Sequence, residues 1–333
     1  MARRRRELAP AARGVPGTLP ATWEAQLATL TSSAPAGDEW LHEIKLDGYR
    51  IGCRIDHGQV RLLGRRGSEW TDKFPEVREA AARLSVTTAF LDGEVAVVDA
   101  QGQTHFQLLQ EALAGGPRAG LVYFAFDLLH HDGRDLTGMP LEVRKGELEA
   151  LLKAMPEALP LRSVSHIVGD GPAVFAQACK LGLEGIVSKR RDQAYRSGRG
   201  PGWLKIKCAL RQEFVVGGFT LPKGTRNGIG ALFCGHMDGA GRLQFAGKVG
   251  TGFTERVAVA LRQQLDALAQ RDCPFAPLPD PEFRRGAVWV RPQLVVEVRF
   301  ANWTGDGRLR HASFEGLRPD KNPADVHREQ PTG

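Results

Sequence analysis

The chain has no closely spaced cysteines. Cys53, Cys179, Cys208, Cys234 and Cys273 stand singly; no C-x-x-C spacing offers a structural zinc site, and an odd total argues against a secreted disulfide framework. Long apolar runs are missing too. No stretch approaches the roughly 20 residues that span a bilayer. The N-terminus MARRRRELAPAARG sets Arg3, Arg4, Arg5 and Arg6 ahead of no apolar segment, which excludes a secretory signal. There is no internal repeat, and no low-complexity segment beyond that basic arm. A reducing cytoplasm and no membrane partner are the expectations.

The 333 residues suggest two domains and easily permit a sizeable core. Hydrophobic residues at 42% and charged residues at 25% are ordinary for a globular protein. A formal net charge of +7 with a pI near 9.3 points to an anionic partner such as nucleic acid, nucleotide or acidic membrane surface.

Along the chain, WLHEIKLDGYR and IGCRIDHGQVRLLGRRG read as strands, the second a hairpin around Asp56-His57-Gly58. Pro75 opens a helix with Val77, Ala80, Ala81 and Leu84 at helical spacing. AFLDGEVAVVDAQGQ reads as a further hairpin and LVYFAFDLLHHDG as an apolar strand. Helices over 141–154 and 172–182 precede the strands GLEGIVSKR and GWLKIKCA. This is α+β with antiparallel sheets rather than an alternating parallel fold. From about Arg211 short strands alternate with Gly-rich turns, one helix starts at Thr254, and VWVRPQLVVEVRF is the longest β-rich run. That texture suits an oligonucleotide-binding (OB) β-barrel. The expected organisation is a basic flexible arm over 1–18, a first domain over 19–210 and the barrel over 211–333, with a boundary near 209–212.

EIKLDGYR, residues 43–50, puts a lysine into an apolar run beside an aspartate and a glycine. Read as a strand entering a turn, it places Lys45 and Asp47 on one side. Taken alone, this is more simply a surface ion pair. Similar carboxylate–glycine pairs recur before β runs at Asp92-Gly93-Glu94 and Glu184-Gly185, where backbone could approach a phosphate closely. Lys205 and Lys207 alternate in WLKIK and would share a strand face. Each feature has a bland reading as turn, solvated carboxylate or exposed edge.

In sequence order, K-x-D-G-x-R (45–50), R-x-G (65–67), D-G-E (92–94), F-D-L-L (126–129), E-G-I-V-S-K (184–189), W-x-K-x-K (203–207) and R-x-D-K (318–321) resemble the covalent nucleotidyltransferase superfamily of DNA ligases, RNA ligases and capping enzymes. FQLLQ, YFAFDLLHHDGRDLTGMPLEVRK, GLEGIVSKRRDQAYRSGR and RHASFEGLRPDK are similar to the ligase module of bacterial end-joining ATP-dependent DNA ligases. The resemblance implies a nucleotidyltransferase (adenylation) domain followed by an OB barrel. It implies ATP as co-substrate and Mg2+ or Mn2+ as the metal. Lys45 would be the nucleophile that becomes AMP-lysine, with Lys205 and Lys207 supplying positive field. Asp47, Glu184 and, less directly, Glu94 would hold the metal. Glu94, Arg50 and Arg65 would contact ribose and phosphate, and Phe126 would stack on adenine, its rival role being a core aromatic. The backbone of Glu43 and Ile44 would read the adenine edge. Arg318 and Lys321, with Asp320, would orient pyrophosphate when the barrel closes over the nucleotide, a motion hinged near 209–212.

The implied partner is nicked or broken double-stranded DNA, with a Ku-type end-binding protein a further candidate, and the expected state is a monomer at the bacterial nucleoid. Gly64 and Arg66 depart from the hydroxyl residue and asparagine common in the family, and Glu315 stands where end-joining relatives carry lysine. The rivals are an RNA ligase, a GTP-using capping-type enzyme, and a nucleic-acid-binding protein without catalysis.

Overall fold

The computed structural model describes residues 14–65, 67–222 and 227–330. The arginines of the N-terminal arm, and Arg66, lie outside the described residues. The chain divides into two compact units after Ile206. Among the described residues no helix is long and apolar enough to cross a membrane. Cys53, Cys234 and Cys273 carry free thiols, whereas Cys179 and Cys208 are disulfide-bonded, against the expectation of five separate thiols.

The first unit holds two sheets. The larger, seven-stranded sheet is built on Tyr49–Asp56, Gln59–Gly64, Thr88–Val97 and Leu121–His131, paired antiparallel. Its first hairpin closes at the expected place, with Asp56 opposite Gln59. His57 and Gly58 both have positive φ there, the geometry that matches the right-handed twist of the flanking strands. The expected hairpin at AFLDGEVAVVDAQGQ is instead one long strand, Thr88–Val97, with only a bridge between Val98 and Thr104 beyond it. Outside this sheet the helices Pro75–Ala81 and Phe106–Leu113 bury Val77, Ala80, Ala81, Phe106, Leu109 and Ala112 in the main core.

The second, five-stranded sheet runs in the order Ile167–Asp170, Ala36–Ile44, Gly185–Arg190, Gly198–Lys207, Gln26–Leu30. Between the sheets lies a smaller cluster in which Leu63, Phe90, Phe126 and Leu129 of the first meet Trp203 of the second and the loop residue Tyr195. The helix Leu141–Leu152 packs on the strand Leu121–His131. Its Arg144 and Lys145 point inward and are almost fully buried, so this helix has no clean apolar stripe and its core face carries charge.

The second unit is an antiparallel β structure built on Leu210–Thr220. The first half of that strand pairs with Val295–Phe300, and the second half with Ala231–Met237 and Ala287–Val290. The ladder slips between Val216 and Gly218, a bulge that bends one strand to serve both halves. VWVRPQLVVEVRF is therefore two strands, interrupted where Pro292 cannot donate to a ladder. The helix Glu255–Asp266 is capped by the Thr254 hydroxyl, which accepts from the Val257 amide, and buries Ala258, Leu261 and Leu265.

Candidate active site

The strand Ala36–Ile44 ends one residue before Lys45. It pairs antiparallel with Gly185–Arg190, Ile44 opposite Ile186, and the ladder extends one bond further as the Lys45 amide donates to the Gly185 carbonyl at 2.9 Å. That register brings Glu184 beside Lys45. Lys45 Nζ lies 2.7 Å from Glu184 Oε2, the carboxylate buried and the ammonium about one quarter exposed.

The chain leaves the strand at Lys45, and Asp47 Oδ2 accepts from the Phe106 amide at 3.3 Å, at the start of the helix Phe106–Leu113. A carboxylate suits that helix end. Its own amide donates to Thr104 Oγ1. Glu184 stands beside Lys45 as a carboxylate that the strand reading of EIKLDGYR did not place there. Glu94 Oε1 accepts from the Gly48 amide at 3.1 Å. Gly48 and Gly93 are demanded by the protein's own packing rather than by an approaching phosphate. A Cβ at Gly48 would sit 2.1 Å from the Val95 carbonyl oxygen, and one at Gly93 would sit 2.5 Å from the Tyr123 ring.

Arg50 lies on the next strand and forms a two-point fork with Asp92, Nε to Oδ1 at 2.9 Å and Nη2 to Oδ2 at 2.6 Å. Burial would lower the Arg50 pKa, but the charge and hydrogen bonds of Asp92 together with Tyr195 and Glu94 outweigh it and hold the guanidinium firmly protonated. Three rings wall this group: Phe126, Trp203 and Trp23, with centroids 5.0, 5.3 and 5.8 Å from the guanidinium carbon. Lys189 Nζ sits 4.2 Å from the Phe126 centroid and 4.1 Å from that of Trp203. Phe126 is 7% exposed and belongs to the cluster between the sheets, so it combines a core position with an edge on this pocket.

Beneath Lys45 the Glu43 carboxylate is sealed between two ammonium groups, Lys145 at 2.6 Å and Lys189 at 2.5 Å. A nucleotide contact at this point would come from backbone, as expected, while Ile44 is the exposed neighbour. Arg144 forks onto Asp127 with both bonds at 2.7 Å. Sequence reasoning assigned no role to Lys145, Lys189, Arg144, Tyr195 or Trp23. The usable signal was that Lys189 closes E-G-I-V-S-K and Asp127 lies within F-D-L-L.

Arg65 occupies the turn after Gln59–Gly64. At Gly64 a Cβ would meet Ser68 and Trp70, so a hydroxyl residue does not fit this turn. Lys205 lies on Gly198–Lys207, its carbonyl accepting from the Thr31 amide. Lys207 belongs to the second unit and donates to the Arg211 carbonyl and to Glu329. There Arg318 forks onto Asp320 and reaches Glu297 at 3.1 Å, while Lys321 pairs with Glu213 at 2.7 Å. Glu315 is paired with Arg211 and Arg299, each at 3.1 Å.

Asp47, Glu94 and Glu184 offer the hard oxygens a divalent cation prefers, but no group of three or more metal-ligating side chains forms among the described residues. That donor set fits magnesium, which retains water and is often held by one or two carboxylates plus substrate phosphates.

Residues 25–207 match the family model "ATP dependent DNA ligase domain", and residues 225–321 match "ATP dependent DNA ligase C terminal region". The chain is 45% identical over 329 residues to the multifunctional non-homologous end joining protein LigD of Pseudomonas aeruginosa, covering 97% of this chain and 39% of that protein. It is 42% identical over 298 residues to the corresponding DNA repair protein of Mycobacterium tuberculosis, covering 87% and 38%. The chain thus spans about two-fifths of the length of these relatives. A structure described as mycobacterial DNA ligase D complexed with ATP and MES shares 39% identity and superposes with a TM-score of 0.70 over 92% of this chain and 98% of that one. The M. tuberculosis LigD ligase domain shares 40% identity with a TM-score of 0.52 over 92% and 98%. These matches cover both the unit that carries Lys45 and the one that carries Arg318, and the chain belongs to the ATP-dependent DNA ligase family, with a nucleotidyltransferase domain followed by an OB-fold domain.

Proposed function

We propose that this chain seals 5′-phosphate/3′-hydroxyl nicks or breaks in double-stranded DNA through a lysyl-AMP intermediate on Lys45, as the ligase module of double-strand-break end joining. The observation that carries the reading is Lys45 at a strand end, partly open to solvent, with a buried carboxylate 2.7 Å from its ammonium and a ring-walled arginine on the strand that follows in sequence. A nucleophilic amine must first lose a proton, and Glu184 Oε2 stands at the distance from which a base accepts one.

In the first step Nζ attacks the α-phosphorus of ATP, a P–N bond forms and the bond to pyrophosphate breaks. The DNA 5′-phosphate next displaces Lys45 from the adenylyl group. The 3′-hydroxyl then attacks the 5′-phosphorus and AMP leaves. All three are in-line phosphoryl transfers that depend on positioning and charge neutralisation. Arg50, and Arg65 at its turn, would bind ribose and phosphate. Phe126 would offer its edge to adenine, and Glu94 would orient the ribose. Lys205 and Lys207, with Arg318 and Lys321 of the barrel, would meet the phosphates, which requires Lys207, Arg318 and Lys321 to exchange their present carboxylate partners for phosphate. Glu184 would be the first protein ligand for Mg2+ or Mn2+, with Asp47 and Glu94 as further candidates; when bound, the ion would neutralise charge on the α-phosphate. Nicked or broken DNA, a Ku-type end-binding protein as recruiter, and a cytoplasmic, nucleoid-associated setting complete the reading.

The test is label transfer. The protein is stripped of bound AMP and incubated with the metal and α-labelled ATP or GTP, with pyrophosphate removed, beside Lys45→Ala. Acid-stable label from ATP that vanishes in the variant is expected. Label from GTP alone would make it a capping-type enzyme, and no label would leave a binding protein.

A further inference from the structure

The Tyr195 hydroxyl sits in the first unit with every hydrogen-bonding position filled. It accepts from the Gln26 amide at 2.8 Å and from Trp23 Nε1 at 3.1 Å, and it donates to Asp92 Oδ2 at 2.8 Å. A phenol has one proton and two lone pairs. Both neighbouring N–H groups can only donate, so the phenol proton has Asp92 as its one destination. Burial raises the Tyr195 pKa far above its ordinary value, which keeps that proton in place.

Asp92 is wholly buried and uses both oxygens on Arg50. Fixing Oδ2 from the side opposite the fork fixes the plane of the carboxylate, and the fork transmits that plane to the guanidinium. Nε and Nη2 are consumed by the fork, while Nη1 stays outside it. The ring of Tyr195 makes an edge contact with Trp203 at 6.0 Å, one of the rings that wall Arg50. A single loop residue therefore touches both the carboxylate partner and the aromatic wall of the arginine.

We propose that Tyr195 is a positioning residue for adenylation: its hydroxyl, oriented by Trp23 and Gln26, locks Asp92 so that Arg50 presents Nη1 to the nucleotide in a single orientation. This rests on the reading above in which Arg50 contacts the nucleotide. Tyr195→Phe keeps the ring and its packing and removes only the oxygen.

The experiment measures kcat and KM for ATP in label transfer to Lys45, for the unmodified chain, Tyr195→Phe, Arg50→Lys and the double variant, with thermal melts of each. Loss of a hydrogen bond to a charged group predicts a fall in kcat/KM on the order of tenfold or more for Tyr195→Phe. In the Arg50→Lys background the same change should cost less than about twofold, because the group it acts through is already altered. Should Tyr195→Phe melt below the assay temperature, Trp23→Phe replaces it, with a smaller fall that again disappears in the Arg50→Lys background. A Tyr195→Phe chain within about twofold of the unmodified one, or the same fold-loss in both backgrounds, overturns the proposal and leaves Tyr195 a packing residue. An unmodified chain that takes no label sinks the parent reading and this one together, which separates the two failures.

Discussion

Glu43 carries one negative charge between the two positive charges of Lys145 and Lys189, at 2.6 and 2.5 Å, and all three side chains are at most 3% exposed. The buried cluster has net charge +1, from 2 − 1. Glu43→Gln would raise it to +2 and leave two ammonium groups facing a neutral amide. Lys189→Met would bring it to zero and leave the Glu43–Lys145 pair balanced, with the Val164 carbonyl still accepting from Lys145 at 3.0 Å. Removing one partner of a buried pair costs about 3–5 kcal/mol when it strands a charge, whereas an apolar replacement that leaves the remainder balanced can be neutral. Lys189→Met also gives up its contacts with Phe126 and Trp203, about 0.5–2 kcal/mol. The expected order is therefore Glu43→Gln far below Lys189→Met, with the latter within about 2 kcal/mol of the parent.

For a unit of this size 1 kcal/mol is worth roughly 2–4 °C, so Glu43→Gln should melt about 6–20 °C lower in the first-unit transition, read by calorimetry. The pH dependence adds a second check. Burial pushes the Glu43 pKa up, but Lys145 and Lys189 pull it further down, below its ordinary 4.5. Between those two values the unfolded chain binds more protons, so stability is full above 4.5 and falls as pH drops through the native value. Glu43→Gln should lack that acid limb. For Lys189, burial wins over Glu43 and lowers the pKa below 10.5. Its contribution therefore improves as pH rises through that window, and Lys189→Met should lose the gain. A Glu43→Gln chain melting within about 2 °C of the parent, with an unchanged acid limb, would refute the charge accounting.

Three further outcomes are expected. Gly48→Ala should lose about 1–3 kcal/mol, because its Cβ would lie 2.1 Å from the Val95 oxygen, and should slow adenylation by moving the Lys45 loop; calorimetry beside label transfer reads both. Cys53 and Cys234 are fully buried, and burial pushes the Cys53 thiol up to about 12 and Cys234 higher still. At pH 8 a thiol alkylating reagent followed by peptide mass mapping should leave both unmodified in the native chain and modify both in denaturant. Affinity for nicked DNA, measured by fluorescence anisotropy, should fall steeply with salt, since contacts to phosphate release counterions; a flat salt dependence would rule out clamping on the DNA backbone.

Much of the fold was legible because its signals are local. The Asp56-His57-Gly58 turn carries its own geometry in two positive-φ positions, and the Thr254 cap lies three residues from the amide it serves. The strand that ends before Lys45 and the order of the family's motifs were likewise readable from short stretches. Partnerships across the chain were not. Lys145 and Glu43 are 102 residues apart, and Lys145 follows another cation on a helix whose composition reads as solvated. The same gap explains Asp47. K-x-D was placed on one face by the two-residue period of a strand entering a turn, whereas the strand ends at Ile44 and Asp47 serves a helix amide contributed from residue 106. Gly48 and Gly93 were legible as close approaches, but what approaches them is protein.

Arg144 and Lys145 are consecutive, yet they fasten different sheets. Arg144 forks onto Asp127 in the seven-stranded sheet, and Lys145 reaches Glu43 in the five-stranded sheet. Two residues further along the Glu43 strand direction stands Lys45; next to Asp127 in its strand stands Phe126, which walls Arg50. One turn of one helix thus sets the separation between the sheet whose strand leads into Lys45 and the sheet that carries Arg50, Asp92 and Phe126. Apolar packing between sheets tolerates small slides, because the hydrophobic effect is non-directional. Forked and charge-assisted hydrogen bonds fix distance and angle together. This accounts for charge where apolar residues would pack as well: on the proposed reading the interface between the sheets is the floor of the site, and an in-line transfer punishes a misplacement of about 1 Å far more than a stability measurement would reveal.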